Sequence, residues 1–309
     1  MTSAAALDDL QEPTLRALQS EPRQLPTMWL YDERGSRLYE EITRLPEYYL
    51  PRREREILRA RAPEIAAQTH AGTLVELGAG GARNTRLLLD ALDRLERFVP
   101  LDVSEEILRA GARGIAAAYP RLQVDALVGD FERDLGSLPD AGPRLIALLG
   151  STIGNFDPAR RGAFLLSVAD VLAGGDALLV GLDLVKDVRR LEAAYNDAAG
   201  VTEAFVRNAL DAANRELGAT FDQSCFAYEA RWDHEHEWMD IGLRARRAHN
   251  VMVRALDLEV PFDEGEPLRV EISAKFRREP FEREAARAGL DVDGWWTDQR
   301  GDFAIALLT

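Results

Sequence analysis

The stretch Leu74–Leu92, LVELGAGGARNTRLLLDAL, decides how this chain is read. A short apolar run holding one acid, Glu76, turns through Gly78, Gly80 and Gly81 into a segment with helical apolar spacing. Strand, glycine turn and helix in that order open a nucleotide-binding α/β domain. Glycine is required there because backbone approaches a ligand where a Cβ would collide. A dinucleotide fingerprint wants G-x-G-x-x-G, but counting from Gly78 puts Arg83 at the third glycine position. An acid two residues before the first glycine suits S-adenosylmethionine (SAM), whose methionine part carries an amine and a sulfonium. The segment therefore favours a methyltransferase over a dehydrogenase, with a ligand-free glycine turn as the plainer alternative.

Outward from this stretch the pattern alternates. Residues up to about Ala67 read as mostly helical, broken by Pro22, Pro26, Pro46 and Pro51. Strands are expected at Leu74–Leu77, Arg97–Val103, Val124–Val128, Arg144–Leu149 and Asp176–Leu182. Helices are expected at Thr85–Leu95, from Ser104 as N-cap to Tyr119, and at Arg160–Leu172. Beyond Val185 come two helical stretches over Val188–Leu217, then β-like runs at CFAYEARW, EWMDIGLRAR, NVMVRALDLEV and LRVEISAKF. The rhythm resumes with the helix PFEREAARAGL, a strand around Trp295 and FAIALL at the C-terminus. The expected fold is α/β: a Rossmann-like class I SAM-dependent methyltransferase sheet with an inserted α+β substrate-binding domain. Residues 1–70 form an N-terminal helical segment contributing to the substrate site. Residues 71–186 and 273–309 form the SAM-binding domain, and 187–272 the insertion, placed beside the carboxyl ends of the strands to hold substrate.

Composition narrows the partners. A net charge of −15 over 309 residues disfavours phosphate backbones and anionic lipid, so neither nucleic acid nor membrane is expected. The single cysteine, Cys225, precludes an intrachain disulfide and fits a reducing compartment. The N-terminus, MTSAAALDDLQEP, lacks the basic and apolar regions of a signal peptide, and no run approaches the roughly 18 apolar residues of a membrane span. A cytoplasmic enzyme is expected, monomeric because no heptad or apolar edge is evident.

The strand ends carry the chemistry. Asp102 follows Gly78 by 24 residues, where a carboxylate accepts from ribose hydroxyls. Asp130 and Phe131 follow the third strand, where a carboxylate can meet an adenine amino group and a ring can pack on the base. An acid at a strand end is often only a helix cap; three in order, Glu76, Asp102 and Asp130, carry more weight. Other clusters carry less. His234 and His236 are placed on one exposed face of a β-run with no third ligand, so no metal site is expected. Ser151 lacks the G-x-S-x-G setting of a nucleophile. Trp295 and Trp296 read as core and rim, and Arg52, Arg53 and Arg55 as a solvated helix face.

Six segments together are more specific: YDERGSRLYEEITRLPEYY (Tyr31–Tyr49), VELGAGG, VGDFE (Val128–Glu132), LLGSTIGNF, AYNDAAGVTEAF (Ala194–Phe205) and VEISAKF. In this order the chain resembles the histidine Nα-methyltransferases of ergothioneine biosynthesis, from about Pro26 to the C-terminus. The resemblance implies SAM-dependent trimethylation of the α-amine of free L-histidine to hercynine. It implies a SAM site at Tyr31, Gly78, Asn84, Asp102, Asp130 and Phe131. The implied histidine site is Tyr48, Asn155, Tyr195, Ile241, Glu271, Ile272 and Ser273, with Tyr48 and Asn155 catalytic.

The residue types agree with these roles. Tyr195 and Asn155 can donate to a carboxylate, and Asn155 and Tyr48 can receive an amine. A carboxylate and a hydroxyl two residues apart on a strand share a face and can read both nitrogens of an imidazole. Two positions depart from the family, which often has lysine where Asn84 stands and methionine where Ile241 stands. The second exchanges a flexible thioether for a branched wall beside the imidazole.

Overall fold

The computed structural model describes residues 4–80 and 84–309, so Gly81 and Arg83 of the glycine turn lie outside the described residues. The chain forms two compact units: the described residues up to Tyr48 together with Asp187–Ser273, and Tyr49–Lys186 together with Ala274–Thr309.

The first unit begins with α1 (Ala4–Leu18), β1 (Arg23–Gln24), a 3-10 turn at Thr27–Leu30 and α2 (Glu33–Ile42). The YDERGS motif is mainly architecture. Asp32 caps α2 by accepting from the Gly35 N–H at 2.7 Å, and it also accepts from Asn208 and Arg215. Gly35 is obligatory, since a Cβ there would lie 1.7 Å from the Leu30 carbonyl oxygen.

The second unit follows with α3 (Leu50–Thr69), β2 (Thr73–Leu77), α4 (Thr85–Ala91), β3 (Arg97–Asp102) and α5 (Glu105–Ala118). Next come β4 (Gln123–Val124), β5 (Leu127–Val128), β6 (Arg144–Leu148), α6 (Pro158–Val171) and β7 (Ala177–Asp183). The chain then returns to the first unit with α7 (Val188–Tyr195), α8 (Val201–Leu217), β8 (Phe226–Asp233) and β9 (Trp238–Ala245). It continues through β10 (His249–Val253), β11 (Leu258–Phe262) and β12 (Pro267–Ala274). Finally α9 (Arg278–Arg287), β13 (Val292–Thr297) and β14 (Phe303–Leu308) complete the second unit.

The sheet of the second unit has eight strands in the order β13-β14-β7-β6-β2-β3-β4, with β5 also against β3. Pairings from β7 through β4 and β5 are parallel, and β14 is antiparallel to both β7 and β13. Every residue of β2, β6 and β7 is buried, as strands covered on both faces must be. Burying each Val, Leu or Ile there contributes roughly 1.5–3 kcal/mol. The expected third strand is in fact two short pieces, because pairing with β3 lapses at Asp125 and Ala126.

Three expectations about the helices change. Pro51 does not break a helix but sits in the first turn of α3, where its missing N–H is no loss. Helix α3 belongs to the second unit, so the segment 1–70 divides at Tyr48. Ser104 stands at the N-cap of α5 without a side-chain cap bond; its own N–H donates to Asp102 instead.

In the first unit one sheet runs β1-β12-β9-β8, and β10 and β11 form a separate antiparallel hairpin. The single run expected at NVMVRALDLEV is this hairpin folded at Arg254–Leu256. His234 and His236 lie in the turn between β8 and β9 rather than on a strand. His236 stacks on Trp238 and bonds Asp233, while His234 accepts from the Trp232 indole.

Candidate active site

In the second unit the glycine turn lies at the carboxyl end of β2. Gly78 and Gly80 take φ of +69° and +45°, conformations that side chains with a Cβ rarely adopt. The Gly80 N–H donates to Asp102 Oδ2 at 2.9 Å and the Ser104 N–H to Oδ1 at 2.8 Å, so Asp102 ties the turn to the end of β3. Burial raises the Asp102 carboxyl against the pull of these backbone donors. Phe131 hangs over the turn, its ring 3.7 Å from where a Gly78 Cβ would stand. Phe156 and Phe164 back it at centroid distances of 6.2 and 6.0 Å. Asp130 bonds the Glu132 N–H, and the Asp130 N–H donates to Asp134 in the same turn.

Glu76 is buried, and Thr85 Oγ1 donates to it at 2.6 Å. Burial pushes its carboxyl from 4.5 up to about 8, with the charges of Glu54 and Asp102 adding to the rise against the Thr85 bond.

Sequence reading missed Glu54. It stands four residues after Leu50 and three before Ile57, on the buried face of α3, and that spacing was the available signal. Its carboxylate accepts from the Gly150 N–H at 2.6 Å and from Asn84 Nδ2 at 2.8 Å. Asn84 also donates to the Pro51 carbonyl and accepts from Arg55, so its amide is engaged with α3. Arg53 pairs with Asp298 and Asp302, and with Arg55 on Asn84 the expected solvated arginine face is corrected: only Arg52 of the three is exposed.

Asn155 ends the 3-10 turn Thr152–Asn155 that follows β6. The loop before it is tightly specified. Ser151 is buried at φ +61°, and its Oγ accepts from the Asp183 N–H at 3.0 Å. A Cβ at Gly154 would come within 2.9 Å of the Ala274 carbonyl oxygen. Asp183 itself was also missed. Fully buried at the end of β7, it accepts from the Tyr49 hydroxyl, the Lys186 ammonium and the Lys275 ammonium. Burial holds Lys186 below the usual lysine range although Asp183 favours its charged form.

The remaining candidate residues cluster in the first unit. The Tyr195 and Ser273 hydroxyls are 2.7 Å apart, and the Tyr48 and Tyr195 rings meet edge to face at 6.1 Å. Tyr31 contacts Tyr39 and Phe205 at 5.8 and 5.5 Å. Tyr48 lies well above the usual tyrosine range, first through burial and then through Tyr39, Tyr195, Glu271 and Tyr31 nearby. Tyr228, also unforeseen, donates to the Tyr195 carbonyl and is raised by burial and by Glu271. Glu271 and Ser273 share one face of β12, and by the same alternation the Ile272 side chain points to the other. Ile241 is fully buried on β9, opposite Ala230 of β8.

A mostly parallel sheet closed by two antiparallel strands, with a positive-φ glycine turn and buried carboxylates at the strand ends, is the framework of a class I SAM-dependent methyltransferase. The carboxylates suit a cationic donor and the turn leaves room for close backbone approach. The profile of the SAM-dependent, histidine-specific methyltransferases matches residues 10–309. Histidine N-alpha-methyltransferase of Mycolicibacterium smegmatis is 49% identical over 99% of this chain and 97% of its own length. Its namesake from Mycobacterium tuberculosis is 48% identical over 96% of this chain and 94% of its own. Ergothioneine biosynthesis protein 1 of Neurospora crassa is 34% identical over 89% of this chain and 32% of its own. The chain belongs to the histidine-specific, SAM-dependent methyltransferase family.

Proposed function

We propose that this enzyme transfers methyl groups from SAM to the α-amine of free L-histidine, three times in succession, and supplies hercynine to ergothioneine biosynthesis. The observation that carries this reading is the pairing of Glu271 and Ser273 on one face of β12, with the Tyr195 hydroxyl on Ser273. A carboxylate and a hydroxyl match the two nitrogens of an imidazole, and polar readers of this kind reject side chains that leave them unpaired. The names of the two mycobacterial relatives support the same substrate.

On this reading Gly78, Asp102, Asp130, Phe131 and Tyr31 receive the donor, and Asn84 acts by fixing Glu54 beside the turn. Tyr48, Asn155, Tyr195, Ile241, Glu271 and Ser273 receive histidine. Bound SAM supplies an electrophilic methyl group on its sulfonium. The protein positions the amine in line with that methyl and excludes water. Asn155 and Tyr48 orient the amine, which attacks in its neutral form: the N–C bond forms as the methyl–sulfur bond breaks, S-adenosylhomocysteine leaves, and the proton left on the methylated amine passes to solvent before the next transfer. Tyr48 holds its own proton throughout the working range, because burial and its neighbours keep it from ionising. The enzyme is proposed to work as a monomer in the cytoplasm; among the described residues no helix is long and apolar enough to cross a membrane.

Mass spectrometry after incubation with SAM and each free amino acid in turn tests the proposal. Histidine alone should gain three methyl groups. Methylation of a different amino acid would overturn the specificity and direct attention to Ile241. SAM binding without methyl transfer would overturn the catalytic reading.

A further inference from the structure

The chain passes between its units at three places, Tyr48–Tyr49, Lys186–Asp187 and Ser273–Ala274. Within the second unit, a residue at or next to each of them bonds one carboxylate. The Tyr49 hydroxyl donates to Asp183 at 2.9 and 3.0 Å, Lys186 pairs with Asp183 Oδ1, and Lys275 pairs with Oδ2 at 2.9 Å. The Lys186 ammonium also donates to the Tyr49 hydroxyl at 2.8 Å and lies 4.5 Å from that ring's centroid. A fourth link runs through the backbone, from the Asp183 N–H to Ser151 Oγ, and the Phe276 N–H donates to the Asp183 carbonyl.

The partners of Asp183 are close in sequence to residues of the amino-acid site. Tyr48 adjoins Tyr49, Ser273 stands two residues before Lys275, and Asn155 stands four after Ser151. Asp183 does not serve as a plain counter-ion: it is fully buried, as are Lys275 and, nearly so, the Lys186 side chain, and two ammonium groups share it. Burying ammonium groups and a carboxylate together is costly, and a fold that needed only stability would do as well with apolar packing. Fixing several backbone segments in register is what such a cluster achieves that apolar packing does not.

We propose that Asp183 is a positioning residue for the amino-acid site, setting the backbone at Tyr48 and Ser273 together through Tyr49 and Lys275. It does so without touching substrate. This rests on the proposed histidine site. Loss of the Tyr49 hydroxyl removes one tether and leaves both lysines on Asp183, whereas Asp183→Asn weakens all the side-chain tethers together. The effect falls on histidine rather than on SAM, because the glycine turn is tied separately through Asp102.

The test is steady-state methylation of histidine by Tyr49→Phe and Asp183→Asn, with SAM affinity and melting temperature measured on the same samples. Asp176→Asn is the control. Asp176 forms a buried pair with Arg144 at the opposite end of the same sheet, so its loss destabilises without disturbing the strand carboxyl ends. Tyr49→Phe should raise the KM for histidine or lower kcat by about tenfold or more, Asp183→Asn by more, with the SAM dissociation constant within about twofold of wild type. Asp176→Asn should lose melting temperature and keep its KM. If Tyr49→Phe and Asp183→Asn instead behave like Asp176→Asn, the cluster is structural and the inference is overturned. Should Asp183→Asn fail to fold, Tyr49→Phe decides alone. Wild-type protein inactive on histidine would sink the functional reading instead, a result distinct from variants losing an activity the wild type has.

Discussion

Replacing Glu76 by glutamine should remove a loss of stability that the wild type suffers as pH rises. Glu76 is 5% exposed, and Thr85 is its hydrogen-bonding partner. Burial pushes the folded carboxyl from 4.5 to about 8, whereas the unfolded chain releases the same proton near about 4.3. Between those values the folded protein keeps a proton that the unfolded chain has lost. Stability therefore falls as pH climbs through that window and levels off above about 8. At about 1.36 kcal/mol per pKa unit, the whole span is worth roughly 5 kcal/mol.

Glutamine keeps an acceptor for Thr85 and cannot ionise. The variant should match wild type near about pH 4 and gain on it toward about pH 8, by roughly 10–15 °C at roughly 2–4 °C per kcal/mol. Melting temperatures of both proteins across that range, first without SAM, provide the comparison. Glu54 and Asp102, also raised, remain in both proteins, so the difference reports Glu76 together with its coupling to them. SAM should then stabilise the wild type more than the variant at the basic end, since a cation favours the ionised Glu76 that burial opposes. Parallel melting curves for the two proteins over the whole range would refute the assignment of a proton to Glu76.

Three further outcomes are expected. Glu271→Ala should cost about a hundredfold or more in kcat/KM for histidine while narrowing the preference over phenylalanine, read by competition with mass-spectrometric detection. Tyr48→Phe should slow methyl transfer more than it weakens SAM binding; equal losses in both would remove Tyr48 from the amine's surroundings. Gly35→Ala forces a Cβ to 1.7 Å from the Leu30 carbonyl oxygen and should cost about 2–4 kcal/mol, with melting temperature as the readout and a well-folded variant as the contrary result.

The sheet was legible because its strands obey simple rules. Leu74–Leu77, Arg144–Leu149 and FAIALL are short apolar runs set off by glycine, acid or turn residues, and each is a buried strand. The edge piece Val124–Val128 was less so, since a strand paired on one side only can lapse without exposing a core. The hairpin within NVMVRALDLEV hid because Asp257 turns the chain at φ +46° with no glycine to mark it. Within the site, motif spacing brought out the acids at the strand ends but not Asp183, Lys186 and Lys275. Asp183 and Lys186 are only three residues apart, but their meeting with Lys275 depends on where two distant segments cross, which no local period encodes. Glu54 is the instructive case: its charge suggested solvent, while its spacing from Leu50 and Ile57 placed it inside.

The two units gather different polar groups, and the difference follows from the chemistry proposed for each. Around the glycine turn the polar groups are carboxyls, the buried Glu54 and Glu76 and the half-buried Asp102, each raised by burial, so a bound sulfonium favours the charged forms that burial opposes and its conversion to a neutral sulfide removes that influence. Around β12 hydroxyls gather, those of Tyr48, Tyr195, Tyr228 and Ser273, with Glu271 acting on Tyr48 and Tyr228, and Asp197 and Glu203 on Tyr228 as well. A carboxylate beside the substrate amine would hold it as ammonium, which has no lone pair to attack with. Hydroxyls kept neutral by burial can orient the amine without paying that penalty, provided Glu271 is occupied elsewhere. Assigning Glu271 to the imidazole does both: it gives the side chain its specificity and leaves the amine facing groups that do not favour its protonated form.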